Sequence, residues 1–228
     1  MNVPPFIPPQ IEIPSNVAEA KYPVRIAFVK RVVGLHSAYW AVILGLALIP
    51  LPAASFGLAT SVVVGSLLGL SLVRGLAKGW RHEQFLSALC VPPLTFGMVM
   101  LVQVTVNHGL PFWVWGLGPI STLMYAMLCG RDLSFVGMFV MTSLGGCGTI
   151  LFGAQFDWFT KPLLWESLLG LLAYLLFFVY DLAALQTRRR LGEELGAVLD
   201  LFRDLLNFLT YPIRVISHWR RHRIWSRS

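Results

Sequence analysis

Aspartates near the end of the chain are the residues best suited to chemistry. Asp181 closes an otherwise apolar stretch, Asp200 and Asp204 follow four residues apart, and Asn207 lies three residues further on. This spacing places the last three side chains on one face of a helix. A carboxylate in a low-dielectric site must take up a proton or find a cationic partner. Two such carboxylates that face each other would share a proton and form a proton sensor.

Arginines could neutralise these acids instead. Asp181 could be a helix-end residue paired with one of the arginines at 188–190, and the sequence leaves both interpretations open. We predict that Arg203 or Arg74 lies close to the acids, because a buried carboxylate costs much less free energy beside a guanidinium. Asp200 is nearer the end of its segment and is predicted to face solvent.

Other kinds of chemistry have little support. The five histidines are scattered and show no metal-ligand spacing on a common face, and the three cysteines are too few and too dispersed for a zinc site. The sequence contains no glycine-rich phosphate loop, no HExxH and no GxSxG motif. We therefore predict no enzyme activity, no metal centre and no bound cofactor.

The composition determines where these acids are held. The chain has 228 residues, of which 56% are hydrophobic and 13% charged, whereas a soluble domain carries roughly 25% charged residues. The low fraction of charged residues therefore argues against a soluble fold. The formal net charge is +7, and the basic stretches flank apolar runs. Anionic lipid headgroups are therefore the predicted partner, rather than nucleic acid.

Six apolar runs approach the roughly 20 residues that cross a bilayer. They cover residues 35–51, 55–73, 85–106, 112–129, 133–152 and 163–185. A seventh run, 195–216, carries charged residues and is predicted to be re-entrant or central, since polar groups at this depth must be buried in protein. The prediction is an all-α membrane protein with six transmembrane helices plus a polar seventh C-terminal helix.

The predicted organisation has one membrane domain and two flanking segments. The membrane domain covers residues 35–217, after a Pro-rich N-terminal arm and interfacial lead-in at 1–34 and before a basic C-terminal tail at 218–228. Basic residues favour the cytoplasmic side, and their distribution places the N-terminus and also the C-terminus in the cytoplasm. We predict a multi-pass integral protein of a bacterial inner membrane or an organelle membrane.

Two stretches resemble the Bax inhibitor family, also called the transmembrane Bax inhibitor motif (TMBIM) family. Residues 125–139, YAMLCGRDLSFVGMF, are similar to its Tyr-Ala span end followed by an Arg/Lys-Asp-Leu-Ser turn. Asp181 and residues 201–208, LFRDLLNF, are similar to its sixth-span aspartate and its later Leu-Tyr-Leu-Asp-x-x-Asn-x-Phe run. Residues 28–32, FVKRV, also look like the family's basic lead-in to the first span.

The resemblance implies a fold in which two groups of three helices surround a seventh. It also implies a pH-sensitive leak channel for cations, with calcium as the transported ion and an aspartate pair, here Asp181 and Asp204, as the gate. The chain departs from the family pattern at Ala183, at Phe202 and at Arg203. An arginine beside Asp204 could clamp the aspartates permanently.

A second expectation is a non-transporting accessory or regulatory subunit of a larger membrane complex. The N-terminal arm would then contact other membrane protein subunits. The sequence alone does not decide between these two functions.

Overall fold

The computed structural model describes residues 12–52, 54–128, 146–148, 150–151, 155 and 161–222. Within these residues all regular structure is helical. The first four α-helices are α1 (Tyr22–Ala47), α2 (Phe56–Leu76), α3 (Trp80–Asn107) and α4 (Val114–Leu128). After residue 160 follow α5 (Lys161–Arg188), α6 (Glu194–Arg203) and α7 (Leu205–His222). A short 3-10 helix, Val17–Glu19, precedes α1.

Four of the described helices are long and apolar enough to cross a membrane. They are α1, α2, α3 and the Leu164–Arg188 part of α5. The shortest is α2 with 21 residues, which at 1.5 Å per residue extends about 31 Å and matches the roughly 30 Å hydrocarbon layer. The chain is therefore an all-α, multi-pass membrane protein. Most of the predicted fifth span, the arm before residue 12 and the tail after residue 222 lie outside the described residues.

The first helix begins earlier than the sequence predicted. α1 starts at Tyr22, so the interfacial lead-in and the first span are one helix, and the predicted boundary between residues 34 and 35 falls inside it. Pro23 lies in the first turn, where a missing backbone N–H leaves no hydrogen bond unmade. Phe28 and Val29 are buried in the bundle. The lead-in is thus part of the core.

The seventh segment forms two helices where one was predicted. α6 ends at Arg203 and α7 begins at Leu205, with Asp204 between them. The N–H of Asp204 donates to the carbonyl of Asp200 over 2.8 Å, so α-helical hydrogen bonding continues as far as Asp204. Its side chain is buried, which places a carboxylate at the junction of two helices inside the protein.

Aromatic packing holds the end of α6 against α1. The ring of Phe202 lies 4.9 Å from His36, 5.1 Å from Tyr39 and 6.0 Å from Trp40, measured between ring centroids. His36 in turn shares a 3.1 Å hydrogen bond with the hydroxyl of Tyr174 on α5. These contacts fix the two residues that follow Phe202 inside the bundle.

α2 and α3 pack closely at Gly97. A Cβ added at Gly97 would lie 2.9 Å from Val62 Cγ1 and 3.0 Å from the backbone nitrogen of Val63. Small residues permit this close approach of helix backbones in membranes. Since one of the two neighbours is backbone, it cannot rotate aside to admit a larger side chain.

We expect Gly97→Val to lower the free energy of unfolding by about 1–3 kcal/mol, the usual cost of overpacking. Gly65→Val is the matched control, because a Cβ added at Gly65 on α2 meets nothing within 4 Å. Thermal unfolding in detergent compares the two variants. Equal losses would attribute the effect to valine in a helix and not to the α2–α3 contact.

Candidate functional site

Among the residues that the structure describes, nine charged side chains meet where ends of α2, α3, α5 and α6 come together. This arginine–carboxylate cluster contains four guanidiniums and five carboxylates, namely Arg74, Arg188, Arg189, Arg203, Glu83, Asp181, Glu193, Asp200 and Asp204. With every group ionised, the nine side chains carry one uncompensated negative charge. Binding of one proton makes them neutral.

Arg188 bridges the two aspartates that the sequence predicted as a pair. Its Nη2 donates to Asp181 Oδ1 over 2.9 Å, and its Nη1 donates to Asp204 Oδ2 over 2.5 Å. The side chains of Asp181 and Asp204 are only 3% and 1% exposed. Arg188 lies seven residues after Asp181, two turns along α5, so it reaches back along its own helix. The structure therefore brings the pair together with an arginine between them.

Asp181 keeps one oxygen unpaired. Its Oδ2 is buried and has no hydrogen-bond partner in the part of the chain that the structure describes. A buried acceptor without a partner costs about 1–3 kcal/mol, and more for a charged group.

Asp200 is fully enclosed, so the prediction that it faces solvent is wrong. Arg189 donates to both of its oxygens over 2.6 and 2.8 Å. Arg203 and Arg74 add contacts of 2.7 and 3.0 Å, and the Asp200 side chain is 2% exposed. Three guanidiniums from different elements converge on this carboxylate, and their charge compensates its removal from water.

Arg203 contacts both Asp200 and Asp204 and so links the two carboxylates. Its Nη1 contacts Asp200 Oδ1 at 2.7 Å, and its Nη2 contacts Asp204 Oδ1 at 3.1 Å. The structure thus places Arg203 against both aspartates of the seventh segment, and Arg74 against Asp200. Asn207 lies in α7, but its side chain is outside the described part of the structure.

The sequence analysis missed Arg189, Glu83 and Glu193. Arg189 contacts Glu83 at 2.7 Å and Glu193 at 3.6 Å, and its side chain is 4% exposed. Burial opposes the charge of Arg189, but its bonds to Asp200 and Glu83 outweigh burial and raise its pKa.

The sequence predicted one of the arginines at 188–190 as a partner of Asp181, which Arg188 is, but it gave Arg189 no acid of its own. The nearest sequence signal for Arg189 is Glu193, four residues later.

A glycine makes room for the most enclosed arginine. A Cβ added at Gly196 would lie 2.9 Å from Nη1 of Arg189. The guanidinium therefore packs directly against the backbone of α6, where any larger side chain would push it away from Asp200. Glycine at position 196 is part of the site although it carries no charge.

The N-terminal segment covers the end of α5. The N–H of Ile13 donates to the carbonyl of Thr187 over 3.1 Å, and the N–H of Val17 donates to the carbonyl of Arg189 over 2.9 Å. Nε of Arg190 donates to the carbonyl of Pro14 over 3.2 Å. Helix ends leave carbonyls unsatisfied, and here the chain itself supplies donors and buries Val17 completely.

Acid should remove the contribution of Asp200 to stability. Burial of Asp200 favours the protonated form, but the hydrogen bonds from Arg189 and the charges of three arginines outweigh burial and hold its pKa below the ordinary value. The stabilisation is therefore complete above the unfolded pKa of about 3.9 and is lost as the pH falls through the lower pKa of the folded protein.

Melting temperatures of the wild-type protein and of Asp200→Asn, measured over a series of pH values, test this expectation. The difference in melting temperature between wild type and Asp200→Asn should be widest near pH 6 and should narrow as the pH falls from 5 towards 3. The reason is that protonated Asp200, like asparagine, carries no charge. A difference that stays constant down to pH 3 would contradict the ionised state of Asp200.

The carboxylates of the cluster are surrounded by guanidiniums. Over the described residues, no group of three or more His, Cys, Asp and Glu is arranged to hold a metal ion. Guanidiniums occupy the positions around Asp181, Asp200 and Asp204 that cations would otherwise take.

Comparisons of this chain with protein-family models, with curated proteins and with solved structures give no match. The resemblance to the Bax inhibitor family therefore rests on its motif residues alone. Residues 129–139 of the first motif lie outside the described part of the chain. The acids of the second motif, Asp181 and Asp204, share Arg188.

Proposed function

We propose that this protein is a pH-sensitive cation leak channel, with calcium as the expected ion, and that the Arg188 bridge between Asp181 and Asp204 holds it closed. The observation that carries this proposal is the bridge itself. One guanidinium binds both buried carboxylates, at 2.9 and 2.5 Å. It ties the end of an apolar membrane helix, α5, to the junction of α6 and α7.

The bridge responds to protons because it depends on ionised carboxylates. Hydrogen bonds between charged groups are roughly twice as strong as those between neutral groups. A proton on Asp181 or Asp204 removes the charge that holds Arg188, so the helix ends can separate. Two observations on the described residues support this proposal, namely the net negative charge of the cluster and the lack of a hydrogen-bond partner for Asp181 Oδ2.

In the topology that we propose, the Arg188 bridge lies at the cytoplasmic side of the membrane. We propose six transmembrane helices with a cytoplasmic N-terminus, followed by the polar seventh segment. Arg74 at the end of α2, Glu83 at the start of α3 and Arg188 at the end of α5 meet in one cluster. Their meeting agrees with loops that alternate between the two sides of the membrane.

Calcium flux into liposomes tests the proposal. We expect the wild-type protein to conduct calcium at different rates at pH 6 and pH 8. Asp181→Asn and Asp204→Asn should abolish this difference, because an amide keeps the shape of the carboxylate but cannot titrate. Glu166→Gln is the matched control, since Glu166 is an exposed carboxylate on the same helix, and it should keep the wild-type pH dependence.

Two results would overturn the proposal in different ways. Wild-type protein without flux at any pH would remove the leak function. Flux with an unchanged pH dependence in both Asp→Asn variants would leave a leak but remove the aspartate pair as its sensor.

The second candidate function is a non-transporting accessory or regulatory subunit. The observation that favours it is the position of Arg203 between Asp200 and Asp204, at 2.7 and 3.1 Å, in addition to the Arg188 bridge. A cluster held by so many arginines could be a permanent brace of the bundle. Absence of flux together with a large loss of stability in the cluster variants would support this function.

A further inference from the structure

α7 is strongly amphipathic. Its basic positions Arg214, His218 and Arg221 recur at intervals of four and three residues, which places them on one side of a helix. The apolar positions Leu209, Ile213 and Ile216 recur at the same intervals, on the opposite side, and Arg220 follows in the same row near the end of the helix. This pattern is typical of a helix that lies between an apolar phase and water.

In the part of the chain that the structure describes, the apolar side of α7 is exposed at two positions. Ile213 and Ile216 are 65% and 47% exposed, although a helix in the centre of the bundle would bury such residues. α7 is also not among the described helices that are apolar enough to cross a membrane. Neither a central helix nor an ordinary span fits these two observations.

The charge of α7 is of one sign. Residues 205–222 contain three arginines, Arg214, Arg220 and Arg221, and no acidic residue. Arg220 and Arg221 are exposed. An unbalanced positive helix with two exposed isoleucines matches a monolayer of anionic lipids, since acyl chains accept the isoleucines and phosphates accept the guanidiniums.

We infer that α7 lies along the membrane surface next to the arginine–carboxylate cluster and binds the phosphate groups of anionic lipids. Its start at Leu205, directly after the buried Asp204, fixes one end of the helix at the bundle. The apolar side then enters the boundary between headgroups and acyl chains. This inference does not depend on whether the protein conducts ions.

An adjacent pair of cysteine variants tests the position of the helix. Ile216→Cys and Ser217→Cys are made separately in the full chain, with the native cysteines replaced by alanine, and carry a polarity-sensitive fluorophore. In liposomes containing anionic lipid, the label at 216 should report an apolar environment and be quenched by lipid-bound quencher. The label at 217, about 100° further around the helix, should report a water-like environment.

The same pair distinguishes the alternatives. If α7 crosses the membrane, the neighbouring labels will lie at nearly equal depth and both will report an apolar environment. If α7 is covered by protein or extends into solution, quencher in the lipid will quench neither label. Either result overturns the inference.

A comparison of neutral with anionic liposomes tests whether α7 binds anionic lipid. The label at 216 is compared in liposomes of phosphatidylcholine alone and in liposomes containing phosphatidylglycerol. Each basic residue near an anionic surface contributes roughly fivefold in binding, so Arg214→Gln with Arg221→Gln should reduce the ratio of inserted to free helix roughly 25-fold in the anionic liposomes. Insertion that is equal in both lipids would overturn the role of anionic phosphates.

The matched control removes two exposed basic residues elsewhere. Lys78→Gln with Arg81→Gln lowers the net charge equally, at exposed positions between α2 and α3 and at the start of α3. This variant should keep wild-type quenching at position 216. An equal loss in both double variants would show a general effect of net charge and overturn binding by α7.

Discussion

Asp200→Asn should lower the free energy of unfolding by about 3–5 kcal/mol, the range measured when one member of a buried ion pair is removed. The substitution keeps the shape of the side chain but leaves Arg74, Arg189 and Arg203 without the carboxylate on which they converge. The two enclosed guanidiniums of Arg189 and Arg203 and the partly exposed one of Arg74 would then repel each other. Thermal or denaturant unfolding in detergent measures the loss.

Glu194→Gln is the control for this variant. Glu194 pairs with Arg31 at 2.9 Å, but the Arg31 side chain is 58% exposed. Because water screens such a pair, its removal should cost less than about 1 kcal/mol. A loss at Asp200 no larger than the loss at Glu194 would contradict the enclosed geometry of the cluster.

If the protein is the proposed leak channel, Arg188→Gln should raise calcium flux at pH 8. The flux should reach at least the level of the wild-type protein in its more conductive state. Glutamine cannot donate to Asp181 and Asp204 with a charged group, so two buried carboxylates lose the cation that both bind. Their repulsion favours separation of the α5 end from the junction of α6 and α7. Flux into liposomes, measured with an internal calcium indicator, reports the change.

Arg190→Gln is the control at the neighbouring position. Arg190 is exposed and donates to the carbonyl of Pro14, so its replacement removes the same charge from the same segment without touching the aspartates. Its flux should stay at the wild-type level. If Arg188→Gln stays as closed as Arg190→Gln at pH 8, the bridge does not hold the channel closed.

The class of the fold follows from the sequence because apolar length has a direct physical meaning. Runs of about 20 apolar residues can satisfy their backbone in lipid only as helices. The predicted spans at 55–73 and 85–106 correspond to α2 and α3 within a few residues. The start of α1 was placed too late, since basic residues in its first turns concealed a helix whose other face is apolar and buried.

The composition of the site was partly visible in the sequence. Acids that interrupt apolar segments are costly, and this cost drew attention to Asp181, Asp200 and Asp204, whereas the pairing of Asp181 with Asp204 came from the family resemblance. The cost also indicated that arginines must lie near them, and Arg203 and Arg74 do lie in the cluster. The proton-sensing role of the pair remains a prediction.

The partners of each acid were decided only by the tertiary structure. Arg74 and Asp200 are 126 residues apart in the chain, and Arg189 and Glu83 are 106 residues apart. No periodicity links such positions, so neither the enclosure of Asp200 nor the inward direction of Arg189 could be derived from spacing, whereas Arg188 lies seven residues after Asp181 on the same helix. The sequence determines which charges must be compensated, because desolvation is a property of each residue. Which arginine compensates which acid depends on where the helix ends meet, and only packing decides that.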